Sequence, residues 1–131
     1  MSKREKGSST VEFAASVVLV ILMFLGMLQV GAFLWAESIV ENAARHGARL
    51  GSVSQGCAAC DAVSAANSAL AGQPLLQDTS VFVLAPGGVV GSTVKIRVSA
   101  NIPLFLPAGD ALGLDRLTKV QAEATFRQEG W

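Results

Sequence analysis

Lys3-Arg4-Glu5-Lys6-Gly7-Ser8-Ser9-Thr10-Val11-Glu12-Phe13 opens an apolar run whose reading decides the architecture. From Phe13 to Trp35 no residue is charged, and only Ser16 and Gln29 are clearly polar. As a helix this run rises about 34 Å, enough to cross a hydrocarbon core of about 30 Å. Glu12 stands at its mouth. An ionisable side chain there is costly in lipid and marks a functional position by default. If the chain is cut after Gly7, Ser8 becomes the first residue and Glu12 the fifth.

A cleaved secretory signal has a shorter apolar region followed by a small-residue cleavage site. Here the run is too long, and Ala32 and Ala36 do not make such a site. A plain signal-anchor explains the basic end and the spanning helix, but not the spacing of Gly7 and Glu12. Lys3, Arg4 and Lys6 hold the N-terminal end on the cytoplasmic side by the positive-inside rule, so residues beyond about Ala36 face the periplasm or exterior. The whole chain holds ten basic and ten acidic residues. The leader, residues 1–7, carries three of the former and one of the latter, so its removal leaves seven and nine, a formal −2. No basic patch survives, which argues against nucleic-acid binding.

Beyond Trp35 the chain reads Ala36-Glu37-Ser38-Ile39-Val40-Glu41-Asn42-Ala43-Ala44-Arg45-His46-Gly47-Ala48-Arg49-Leu50. Ile39, Val40, Ala43, Ala44, Gly47 and Ala48 share one face, the spacing of an amphipathic helix. Glu41 and Arg45 are a favourable pair one turn apart. One helix over 8–51 is therefore expected, membrane-spanning over about 13–35 and amphipathic over about 36–50, with Gly51 as its stop.

The Gly7–Ser8 junction with Val11-Glu12-Phe13-Ala14 resembles the processing site of type IV prepilins. Together with Asn42-Ala43-Ala44-Arg45-His46-Gly47-Ala48-Arg49, it resembles the TadE-like pseudopilins of tight-adherence (Tad, or Flp) pilus systems. The likeness covers roughly the first 50 residues. The major pilins of those systems are usually much shorter and often have Tyr where this chain has Phe13, so a minor pseudopilin fits better. The resemblance implies cleavage between Gly7 and Ser8 by prepilin peptidase, with the helix retained. It implies an assembly role for Glu12 and Phe13, in which the Glu12 carboxylate pairs with the N-terminal amine of a neighbouring subunit. An intrachain pair with the Ser8 amine, one turn away, is the alternative. The implied partners are the lipid bilayer, other pilin or pseudopilin subunits, the peptidase and the pilus assembly platform. The implied location is the bacterial inner membrane, single-pass.

Residues 52–131 are expected to form one small exported domain, near the lower size at which a single core is stable. Its small residues and lack of Tyr predict a thin core. Residues 52–60 read as a loop, and Asp61–Leu70 as an alanine-rich helix ended by Gly72 and Pro74. Thr79–Leu84 reads as a short strand. Ser92–Ala100 alternates, with Val94, Ile96, Val98 and Ala100 on one face. Pro103 and Pro107 bracket a break, and residues 108–117 read as loop or a short helical turn. Thr118–Arg127 alternates again, with Val120, Ala122, Ala124 and Phe126 inward. Three strands with one apolar face need a cover, which the face of residues 39–48 can supply. The expected fold is α+β and pilin-like: a long N-terminal helix whose distal half packs on a small antiparallel sheet of about three strands, plus one short helix.

Few residues carry chemistry. Cys57-Ala58-Ala59-Cys60 fits a local structural disulfide in an exported domain. Free thiols, or a redox or metal role, are the alternatives. Haem attachment needs His where Asp61 stands, zinc needs more ligands than His46 supplies, and no thioredoxin-like context surrounds the pair. Gly87-Gly88-Val89-Val90-Gly91 lacks the Lys-Ser/Thr of a phosphate loop and reads as a hairpin connection. His46 reads as a surface or interface residue. Ala43, Gly47 and Gly51, four apart, suit close packing, on the sheet or against a neighbouring helix. No nucleophile–base pair emerges. The expectation is a pilus subunit without enzymatic activity, cofactor or metal. An uncleaved bitopic protein with a periplasmic interaction domain is the alternative, and a membrane-tethered thiol oxidoreductase a more remote one.

Overall fold

The structure, a computed structural model, describes residues 4–107, 109, 111 and 113–129, the side chains of residues 4–8 excepted. Residues 1–3 of the expected leader lie outside these described residues. One helix, α1 (Arg4–Val53), runs for 50 residues, about 75 Å at the α-helical rise. It begins inside the expected leader and passes Gly51. A second helix, α2 (Ala58–Leu70), turns back along it. Three strands follow, β1 (Gln77–Pro86), β2 (Thr93–Asn101) and β3 (Lys119–Arg127). They form one antiparallel sheet in the order β1-β2-β3. A short 3-10 turn, Leu114–Leu117, precedes β3. The fold is the expected α+β arrangement.

Gly51 does not end α1 because its missing side chain is what packing requires. A Cβ there would lie 2.8 Å from both the Ala58 carbonyl oxygen and the Ala62 Cβ. At Gly47 it would lie 2.6 Å from the Ala62 carbonyl oxygen and 2.7 Å from Ile96 Cδ1. These glycines let the backbones of α1 and α2 approach while both helices rest on the sheet. The helix they admit is thus the chain's own α2. That helix is longer than expected by three residues, because Cys57 serves as its N-cap: Cys57 Sγ accepts from the Cys60 amide at 3.2 Å. The link between α1 and α2 is correspondingly short.

The core lies between the helical layer and the sheet. Val94, Ile96, Val98, Ala100 and Ile102 point up from the centre, with Val120 and Ala124 beside them. Ala36, Val40, Ala43, Ala44 and Ala48 of α1 and Ala58, Ala62, Ala66 and Leu70 of α2 point down. Alanine dominates, so each contact contributes little. Ile96, Val40, Val94 and Val98 are fully buried, and each contributes about 1.5–3 kcal/mol relative to exposure. Phe126 follows the inward alternation opposite Val94 but, on edge strand β3, remains 37% exposed.

The outer face of β2 and β3 is polar, while β1 exposes Phe82 beside Arg97 on that face. Glu123 receives Lys95 Nζ at 2.7 Å and the Arg97 guanidinium beside it. The hydrogen bonds from Lys95 and then Arg97 hold its carboxyl below the usual carboxylate range. The Ser80 and Ser99 hydroxyls meet across β1 and β2 at 2.8 Å. On α1, Glu41 and Arg45 form the expected pair, exposed to solvent.

Candidate assembly and membrane surface

No other described residue covers the lower part of α1. From Val11 to Phe24 every residue is exposed, on all sides of the helix. Val11 and Phe13 are each 70% exposed. An apolar helix that chooses no buried face needs an apolar environment all round. α1 is long and apolar enough to cross a membrane. Glu12 is the sole acid between Val11 and Ala36. It is exposed, and its backbone carbonyl accepts from the Ser16 hydroxyl at 2.9 Å. Gly7 and Ser8 lie in the first turns of the same helix, so the backbones of Ser8 and Glu12 are one turn apart.

Burial on α1 begins with a residue that hydropathy alone would leave in lipid. Gln29 is 1% exposed. Its Oε1 accepts from the Phe105 amide at 2.8 Å, and its Nε2 faces the Pro103 and Leu117 carbonyl oxygens, each at 3.5 Å. The segment between β2 and β3 therefore reaches down and clasps the apolar helix. Ala32 and Phe33 pack behind it, and the buried stripe continues through Ala36 and Val40 to Gly51. Contact between sheet domain and helix thus starts well below the amphipathic stretch 36–50.

The opposite end is tied by a second buried glutamine. Gln128 Oε1 accepts from the Gly88 amide at 2.6 Å, and its Nε2 donates to the Ser54 carbonyl at 3.2 Å. Gly87, at φ 67°, leaves no room for a side chain, since a Cβ would lie 2.6 Å from Val94 Cγ2. The Gly87–Gly91 stretch is thus the connection of the β1–β2 hairpin, closed onto α1 and β3. In the sequence Gln29 stands out as a polar residue in an apolar run, whereas Gln128 carries no such signal.

Glu12, Gln29 and the packing glycine Gly47 all lie on α1. Residues 7–49 match the family model described as TadE-like protein. No curated protein and no solved structure matches the chain. The TadE-like segment holds the exposed apolar helix, Glu12, Gln29 and most of the stripe that packs on the sheet. Outside it lie α2, the sheet and the cysteine pair.

Cys57 and Cys60 are joined in a disulfide across the first turn of α2, with Cα atoms 5.2 Å apart. Both are exposed. His46 is exposed too, and with Asp61, Ser64 and Ser68 it lines an open groove between α1 and α2 of about 510 Å³. Asp61 is engaged there by the Ser54 hydroxyl. Among the described residues no group of three His, Cys, Asp or Glu side chains is placed to hold a metal ion.

Proposed function

We propose that this chain is a minor pilin or pseudopilin subunit of a Tad-type type IV pilus. In this reading it helps to initiate, cap or decorate the filament. The observation that carries the reading is the TadE-like segment with an all-round exposed apolar helix and one carboxylate, Glu12, at its root. Prepilin peptidase cuts between Gly7 and Ser8. The helix stays in the inner membrane with its N-terminus cytoplasmic and the sheet domain periplasmic, until it joins other subunits at the assembly platform. In a bundle of such helices an unpaired carboxylate is expensive and a paired one is tolerated. The new Ser8 amine of one subunit and the Glu12 carboxylate of its neighbour then select one docking register. The proposal assigns the chain no catalysis, cofactor or nucleic-acid partner.

Intact-mass analysis of the protein from its native membrane tests the reading. Loss of residues 1–7 is expected, and Gly7→Arg should prevent it. Met1 or Ser2 as the native N-terminus, in cells with an active peptidase, overturns the assignment. That result favours an uncleaved bitopic protein with a periplasmic interaction domain. The unbroken course of α1 from Arg4 through Gly7 and Ser8 is the observation on that side, because it joins residues 4–7 to the apolar helix without a break.

A further inference from the structure

The clasp at Gln29 raises a question of depth. Phe13 to Leu28, the apolar stretch below the clasp, measures about 24 Å, short of a hydrocarbon core of about 30 Å. Tilt of the helix increases the shortfall. To fill the core, α1 must take the next turn, up to about Ala32, into lipid as well. The underside of the sheet domain is fastened at that level by the Gln29 contacts to Pro103, Phe105 and Leu117.

That underside has the chemistry of a lipid-facing surface. Pro103-Leu104-Phe105-Leu106-Pro107 carries no polar side chain, and neither does Pro74-Leu75-Leu76. Phe105 is 39% exposed. Leu75 and Phe105 face Met27, Leu28, Gly31 and Trp35 across an apolar groove of about 400 Å³. Met27, Gly31 and Trp35 form one stripe of α1 that continues the exposed apolar helix without a break. Trp35 stands at the upper end, at the height where indoles favour the membrane interface. Arg116, next in sequence to the clasped Leu117, is exposed.

Irregular backbone is tolerated at membrane depth only where its polar groups are satisfied within the protein. Two features move this loop toward that condition. Pro103 and Pro107 have no amide hydrogen, and Gln29 takes the Phe105 amide while offering its own amide to two carbonyls.

We propose that the underside of the sheet domain, Pro74–Leu76 and Pro103–Pro107, is a membrane-inserted lip that enters the outer part of the periplasmic leaflet beside α1, with acyl chains occupying the groove. The inference rests on the reading of α1 as membrane-spanning. The lip fixes the depth and tilt of the subunit, since a domain fastened to its helix at lipid level cannot rise or swing without exposing apolar surface.

Single-tryptophan variants of the full chain test this. They are made in a Trp35→Phe, Trp131→Phe background and reconstituted into phosphatidylethanolamine–phosphatidylglycerol vesicles brominated on the acyl chains, either near the glycerol end or near the methyl end. Phe105→Trp and, independently, Leu75→Trp should lose emission most strongly to bromine near the glycerol end. Leu22→Trp should lose it to bromine near the methyl end, and Phe82→Trp on the outer sheet face should keep it. Quenching of Leu22→Trp without quenching of either lip variant overturns the lip and leaves the membrane helix standing. Failure of Leu22→Trp to be quenched removes the spanning helix and the lip together. Equal quenching of Phe82→Trp means general adsorption and overturns the lip. So does a photo-crosslinker at Phe105 that captures a second copy of the chain in place of lipid.

Discussion

The backbone amide of Phe105 donates to Gln29 Oε1 at 2.8 Å, joining residues 76 positions apart. The contact places a polar side chain of an apolar helix in the service of a distant loop. Its removal leaves a buried donor without its acceptor, at a cost of about 1–3 kcal/mol. Gln29→Leu, although it makes the helix more apolar, should therefore destabilise the domain by that amount. Hydrogen exchange should accelerate at the Phe105 amide while the amides of β2 stay protected. Unchanged exchange at Phe105 would show that the loop holds without the clasp.

The glycines of α1 should respond to alanine in opposite directions. Gly26→Ala and Gly31→Ala meet nothing within 4 Å and should gain up to about 1 kcal/mol of helix propensity. Gly47→Ala drives a Cβ against the backbone carbonyl of Ala62, and Gly51→Ala against that of Ala58. Such overpacking costs about 1–3 kcal/mol, more than the propensity returns. Denaturant unfolding of the four variants should separate them into two groups, and Gly47→Ala as stable as the parent would contradict the packing.

How much of this was legible in the sequence depends on the reach of each signal. The alternation Val94-Ile96-Val98-Ala100 and the stripe Ile39–Ala48 are local patterns, and the structure repeats them. Cys57 as an N-cap was hidden because a cysteine is not among the usual capping residues. Gly51 looked like a stop since its partners, Ala58 and Val94, cannot be seen along α1. Gln29 and Gln128 act through partners far along the chain, and no periodicity encodes that. The one local hint was a glutamine in a long apolar run, where an unsatisfied amide is costly.

Glu123 gives the sheet a pH dependence. Lys95 and Arg97 depress its folded pKa below its ordinary value of 4.5. A depressed carboxylate contributes stability that is present above the unfolded value and is lost as pH falls through the folded one. Stability of the wild-type chain should thus decline through the acid range below pH 4.5, and Glu123→Gln should flatten that part of the profile. The effect should be small, because these three groups are on the surface and salt screens them. A profile unaltered by Glu123→Gln would place the acid sensitivity elsewhere.

Reduction of the Cys57–Cys60 disulfide opens only a very short loop. The chain-entropy cost of so short a closure is below about 2 kcal/mol, so the double serine variant should fold with a modest loss of stability. The first turn of α2 should fray first, which amide exchange at Cys60 and Asp61 would detect. Global unfolding on reduction would mean that the bond holds more than its own turn.

Glu12 should matter to assembly and not to folding. It lies about 25 Å below Gln29 along α1. Glu12→Leu should insert, be processed and keep a protease-resistant domain, yet co-purify poorly with other pilus subunits. Glu12→Asp, which keeps the charge with a shorter reach, should be intermediate. Assembly of Glu12→Leu as efficient as that of the parent would remove the carboxylate from the docking register.

The two buried glutamines have a mechanical corollary. Gln29 fastens the sheet domain to the middle of α1 and Gln128 fastens it near the top, with a continuous packed stripe between them. A load applied at the sheet therefore has no hinge to relax it before it reaches the lower helix. Torque on the outer domain is torque on the segment that bears Glu12, and the molecule behaves as a key whose bit and shaft turn together.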